Sequence, residues 1–170
     1  MSPNNSDSTA GRVWSLFMFA VAILLNLTAS ETSAGDRVIL QLAPDVVHYN
    51  HSPNHAKTSW LIGSEYLRHD GWLAGYAHFN NSFDQKSHYV YGGRAWKLGG
   101  EESSYWYLKL SGGVIVGYRA PYEDKIPFNH RGVAPAIVPG IGYQHGRFSL
   151  QMNVLGVAGL MFTLGYDISR

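Results

Sequence analysis

Along Phe148 to Val154 the even positions are apolar (Phe148, Leu150, Met152, Val154) and the odd ones polar (Ser149, Gln151, Asn153). From Leu160 to Ile168 the set Leu160, Phe162, Leu164, Tyr166 and Ile168 alternates with Met161, Thr163, Gly165 and Asp167. Trp106 to Val116 repeats the pattern, with Trp106, Leu108, Leu110, Val114 and Val116 turned away from Lys109 and Ser111. A period of two belongs to strands that show one face to an apolar medium and the other to a more polar one. No helical period stands out after residue 35. Eight such segments can be laid out, at 37–48, 58–67, 72–80, 88–97, 105–118, 132–144, 147–155 and 159–169. Several reach the roughly 9–11 residues that a tilted strand needs to cross a bilayer.

The chain before residue 35 reads differently. Met1 to Arg12 is polar, Val13 to Leu25 is an apolar run, and Thr28-Ala29-Ser30 and Thr32-Ser33-Ala34 offer small-residue cleavage sites. That layout predicts a secretory signal peptide over residues 1–34 and an exported domain over 35–170; an uncleaved anchor is the other reading. Export and eight strands without an apolar helix predict an all-β fold, a closed eight-stranded antiparallel barrel in the outer membrane of a Gram-negative cell. A soluble barrel of the lipocalin type would use the same alternation with its apolar face inward, and parity alone leaves the inward face open.

Loop lengths favour the membrane barrel. The connections at 68–71, 98–104 and 145–146 are compact, whereas those at 49–57, 81–87 and 119–131 are mostly longer and more polar. Outer-membrane barrels keep short turns in the periplasm and longer loops outside. Alternating strand direction then gathers His48, His51, His55, Asn81, Ser82, Asp84, His88 and His130 at one outer rim. In the sixth segment Gly132, Ala134, Ala136, Val138, Gly140 and Gly142 share a face opposite Val133, Pro135, Ile137, Pro139, Ile141 and Tyr143. If the bulky face meets lipid, the inner one is small and apolar, with room for a hydrocarbon chain or simply less crowding. Pro44, Pro135 and Pro139 fall inside strands although proline cannot donate to a ladder. They mark either places where strands part, a lateral opening for lipid, or extensions of loops.

Composition narrows the field. Charged residues are 15% of the chain, aromatics 14%, and the net charge is +1. This excludes a disordered chain and offers no concentrated basic face for nucleic acid. With no cysteine there is neither a disulfide framework nor a thiolate metal site. No phosphate-loop, cofactor-binding or G-x-S-x-G pattern occurs, and His51 and His55 lie in a loop where helical metal spacing has no meaning. Neither a cofactor nor a metal is expected. What remains is a rim serine with histidines, the pairing in which a base near neutral pKa takes the proton of a weak nucleophile.

Trp72 to Trp96, an aromatic- and glycine-rich hairpin around Asn80 to Ser87, resembles the outer-membrane lipid A palmitoyltransferase family, PagP. The family's F-x-D-S-aromatic run is matched by Phe79-Asn80-Asn81-Ser82-Phe83, and its strand-ending histidine by Val47-His48. The likeness continues through Gly112-Gly113-Val114, Pro135 to Pro139, Gly142-Tyr143 and Phe148 to Met152, at low identity. It implies transfer of a palmitoyl chain from a glycerophospholipid donor to lipid A, by a monomer among membrane lipids, with Ser82 and His48 as the catalytic pair. The family's aspartate falls on Asn81, which cannot supply charge to an imidazolium. Asp84 would replace it if the backbone from Ser82 to Asp84 is extended. The family's inner glycine falls near Gly92 or Gly93. The family's leading amphipathic helix has no counterpart before Arg37, and the terminal aromatic usual in outer-membrane barrels is replaced by Asp167-Ile168-Ser169-Arg170.

Two other readings stay open. One is a non-catalytic barrel with a structural or transport-related role in the envelope. The other is a lipid A deacylase, for which no His-x-Ser pair lies near the last strand. Parity also raises an objection to His48, because the even positions of Val38 to His48 are mostly apolar. His48 would face lipid unless a bulge intervenes, and Pro44 is a natural site for one.

Overall fold

A computed structural model describes residues 35–49, 59–101 and 103–169; the expected signal peptide at 1–34, and His51 and His55, lie outside them. The strands are β1 (Arg37–Ala43), β2 (Val46–His48), β3 (Leu61–Leu67), β4 (Trp72–Asn80), β5 (Lys86–Gly100), β6 (Ser104–Val116), β7 (Val133–His145), β8 (Phe148–Val154) and β9 (Gly159–Asp167). Each pairs antiparallel with its neighbours in the ring, and β9 closes it by pairing with both β1 and β2. β1 and β2 are two halves of one stave, so the barrel has eight. The largest departure from the sequence pattern is β5, which runs to Gly100 because its pairing with β6 resumes beyond a register shift between Lys97 and Gly99.

Which face is which follows from exposure. Leu40, Leu42, Ile62, Leu108, Leu110, Val114, Ile137, Leu150 and Leu164 all point outward and are exposed. Apolar side chains in that number around a closed wall would be unfavourable in water; facing hydrocarbon they are not. Trp72, Trp96, Trp106, Phe148 and Tyr166 ring the periplasmic end of this band, and the Arg94 guanidinium lies 5.4 Å from the Trp72 ring. The protein is an integral membrane barrel of the outer-membrane type, not a soluble one.

The inward face is graded. Near mid-height Glu65 and Lys109 form a buried ion pair, and Tyr91 Oη donates to Glu65 at 2.9 Å while lying 3.2 Å from Gln41 Oε1. Both charges therefore have partners, as burial requires. The Tyr91 ring packs against Gly75, where a β-carbon would sit 2.3 Å from it. This network crosses the lumen. Outward of it the lining includes Ala43, Ala77, Ala134, Ala136, Val138 and Ile115. Val133, Pro135, Ile137 and Pro139 take the lipid face of β7, leaving the small residues inside.

The prolines sit at two different irregularities. β7 pairs with β6 along its whole length, but its ladder with β8 begins only at Gly140. Among the described residues, 133–139 have no ladder partner on the β8 side, and Pro135 and Pro139 lie in that stretch. Pro44 interrupts the first stave. Ile39 lies opposite Asp167 whereas Val46 lies opposite Met161, so the first stave carries one extra residue and is bulged. Asp45 stabilises the bulge by accepting from the Val46 N–H at 2.8 Å and the Ser59 N–H at 3.0 Å.

Candidate functional site

The bulge reverses parity. Before it, odd residues (Ile39, Gln41, Ala43) are buried in the lumen; after it, Val46 and His48 turn inward and Val47 and Tyr49 are exposed. Without that extra residue the imidazole would face lipid.

The partner comes from the loop between β4 and β5. Asn81, 1% exposed, is the centre of that loop. Its Oδ1 accepts from the backbone N–H groups of Phe83 (2.9 Å) and Gln85 (3.0 Å), and its Nδ2 donates to Ser87 Oγ at 3.1 Å. This is an Asx-type turn in which one side chain replaces a backbone acceptor. The turn is held from outside by residues of the long β6–β7 loop. Phe83 stacks on Tyr122 with centroids 4.2 Å apart. Gln85 exchanges two hydrogen bonds with the backbone of Arg119, at 3.2 and 3.1 Å. Ser82 is carried at the tip of this clamped turn.

His48 Nε2 lies 2.6 Å from Ser82 Oγ, across 34 positions of sequence. With the ring proton on Nδ1, the serine hydroxyl donates to Nε2, the geometry in which a base takes a hydroxyl proton. Both residues are half-buried at the outer end of the lumen, where Ala43 and Ala77 are buried together with Asn153 and Thr163.

The remaining candidates stand apart from this pair. Asn81 is beside Ser82, but its amide is committed to the turn. Asp84 has a φ of +61°, so the backbone is not extended there, and its carboxylate accepts from Asn80 Nδ2 at 2.5 Å while exposed. The condition under which Asp84 would stand in for an aspartate at position 81 is not met. His88 is at the outer end, half-buried on the outward face of β5, and His130 is exposed beside the start of β7. Reasoning from sequence passed over Gln85, Tyr122 and Asp45, and named Phe83 only as the aromatic of the resemblance. Only Asp45 left a readable trace, in the Pro-Asp pair that interrupts an alternating strand.

No protein-family model matches the chain, and no curated protein matches it. Among solved structures it is similar to the backbone structure of the Yersinia pestis outer membrane protein Ail in a phospholipid bilayer nanodisc. The TM-score is 0.40 and the identity 15%, over 78% of this chain and 98% of that one. The barrel described above rests on its own ladders and outward apolar band.

Proposed function

We propose that this barrel transfers a fatty acyl chain between lipids of the outer membrane, with His48 as base and Ser82 at the reacting acyl group. The observation that carries the reading is the 2.6 Å contact between His48 Nε2 and Ser82 Oγ. It lies where a polar rim meets a lumen lined in part by Ala43, Ala77, Ala136 and Val138, apolar side chains that suit a hydrocarbon tail. The stretch of β7 without β8 partners provides a lateral path for that tail from the bilayer. Neither metal nor cofactor is required, because the imidazole supplies the base and an ester supplies the acyl group. The identities of donor and acceptor, a glycerophospholipid and lipid A, come from the resemblance of Phe79–Phe83 and Val47-His48 to the palmitoyltransferase family.

The test is mass spectrometry of lipid A from cells with and without the protein. A palmitate-sized increment that disappears in Ser82→Ala and in His48→Ala supports transfer. Asn81 favours a second reading, a barrel with a structural role. The side chain at the family's aspartate position is a neutral amide engaged in the turn. An acyl pattern that never changes would favour that reading.

A further inference from the structure

Arg94 stands exposed on the outward face of β5. Its cross-strand partner Trp72 is the first residue of β4, and the N–H of the next residue, Ala95, donates to the Gly71 carbonyl in the β3–β4 turn at 2.8 Å. Arg94 is therefore level with a periplasmic turn. The register surrounds it with uncharged residues: Trp72 opposite on β4, Leu110 opposite on β6, and Gly92 and Trp96 two places either way along β5. Its guanidinium carbon lies 5.4 Å from the Trp72 ring and 6.0 Å from the Trp96 ring. The carboxylate of the adjoining turn, Asp70, is committed to Arg68 at 2.9 Å. Among the described residues no carboxylate pairs with Arg94.

From this placement we infer that Arg94, held against Trp72 and Trp96, binds the phosphate of an anionic phospholipid of the phosphatidylglycerol kind in the periplasmic leaflet. A cation that faces hydrocarbon is costly, and a long side chain avoids that cost by reaching headgroup level. Indoles favour the same level, and their ring faces attract a guanidinium. A guanidinium already restrained by two rings loses less freedom when its planar fork meets two phosphate oxygens. Such charge-assisted, bidentate bonds are the strong ones. Free phosphate would suit an arginine set in a solvated loop. Here Leu110 and two indoles border the charge, and the phosphate met at that boundary is a lipid's. A zwitterionic headgroup brings its own ammonium to compete for the phosphate and for the ring faces, whereas an anionic one leaves the pair neutral. The site lies at the opposite end of the barrel from His48 and Ser82 and does not depend on acyl transfer.

The experiment takes the protein whole from outer membranes into vesicles of equal parts phosphatidylglycerol and phosphatidylethanolamine. Native mass spectrometry from mild detergent then counts the lipids that stay bound. Wild type should keep one more phosphatidylglycerol per chain than Arg94→Gln. Titration of the delipidated barrel should show binding weakened about tenfold in that variant, the loss expected of hydrogen bonds to a charged group. Arg94→Lys keeps a charge without the planar fork and should fall between the two. Arg147→Gln, altered at the same end where the guanidinium bonds the Tyr166 hydroxyl at 3.3 Å, should match wild type. Heat-modifiable migration verifies folding, and if Arg94→Gln fails to fold, Arg94→Lys is compared with wild type in the same way. Equal retention of the two lipids by wild type would overturn the site. So would undiminished phosphatidylglycerol in the folded Arg94 variants, or an equal loss in Arg147→Gln.

Discussion

Gly159 and His48 face each other across β9 and β2, closely enough that a β-carbon on Gly159 would lie 2.2 Å from the Val47 carbonyl oxygen and 3.0 Å from the His48 Cα. Backbone at that distance cannot yield without moving the strand. Gly159→Ala should therefore push β2 away and separate His48 from Ser82, while the lower barrel stays paired. The expected result is a folded, heat-modifiable barrel with at least a tenfold loss of acyl transfer, in line with misplacement of a reacting group by about an ångström. Unchanged transfer would show that His48 position does not matter.

Asn81 can be separated into its two possible roles. Asn81→Ala removes the acceptor for two backbone N–H groups in a buried turn and should cost about 1–3 kcal/mol, read from urea midpoints. Asn81→Asp keeps that acceptor and adds a charge beside the pair. If charge is what the site lacks, Asn81→Asp raises the rate of acyl transfer; if Asn81 only shapes the turn, the rate stays at wild type.

Most of the barrel was legible because alternation over 7–13 residues needs no tertiary information. The bulge was legible only as a contradiction, a polar His48 on an apolar parity after Pro44. Asp84 was misplaced because its left-handed backbone depends on which groups the Asn81 side chain captures, and no local pattern records that. The pairing of His78 with His88 follows from the register once Asn80 is set opposite Lys86. Alternation by itself does not fix that register, since the loop could close one residue either way.

The Glu65–Lys109 pair crosses the lumen with both side chains about 95% buried. Lys109→Met leaves an unpaired carboxylate and should destabilise the barrel by about 3–5 kcal/mol in denaturant titrations. Glu65→Gln combined with Lys109→Met should recover most of that loss, because no buried charge is then left.

Asp36 leads into β1 and ties it to the β3–β4 turn. It accepts from the Tyr66 hydroxyl at 2.5 Å, from the His69 backbone N–H at 2.8 Å and from His69 Nδ1 at 3.0 Å. These bonds, the tyrosine's first, hold its pKa down to about 2. A carboxylate whose folded pKa is depressed stabilises the fold fully above its ordinary value near 4, and that contribution is lost as pH falls toward about 2. Asp36→Asn should flatten stability against pH between about 4 and 2, as followed by tryptophan fluorescence. A curve identical to wild type would argue against the tie.

Among the described residues β2 takes its ladder from β9 alone, and β9 is the last of the described strands in chain order. His48 is therefore positioned by residues more than a hundred places downstream, through contacts of the kind that fold late. Before the ring closes, the upper end of the first stave lacks its ladder with β9. Ser82 meets His48 only in a completed barrel. A chain whose barrel is still open carries both residues and does not bring them together.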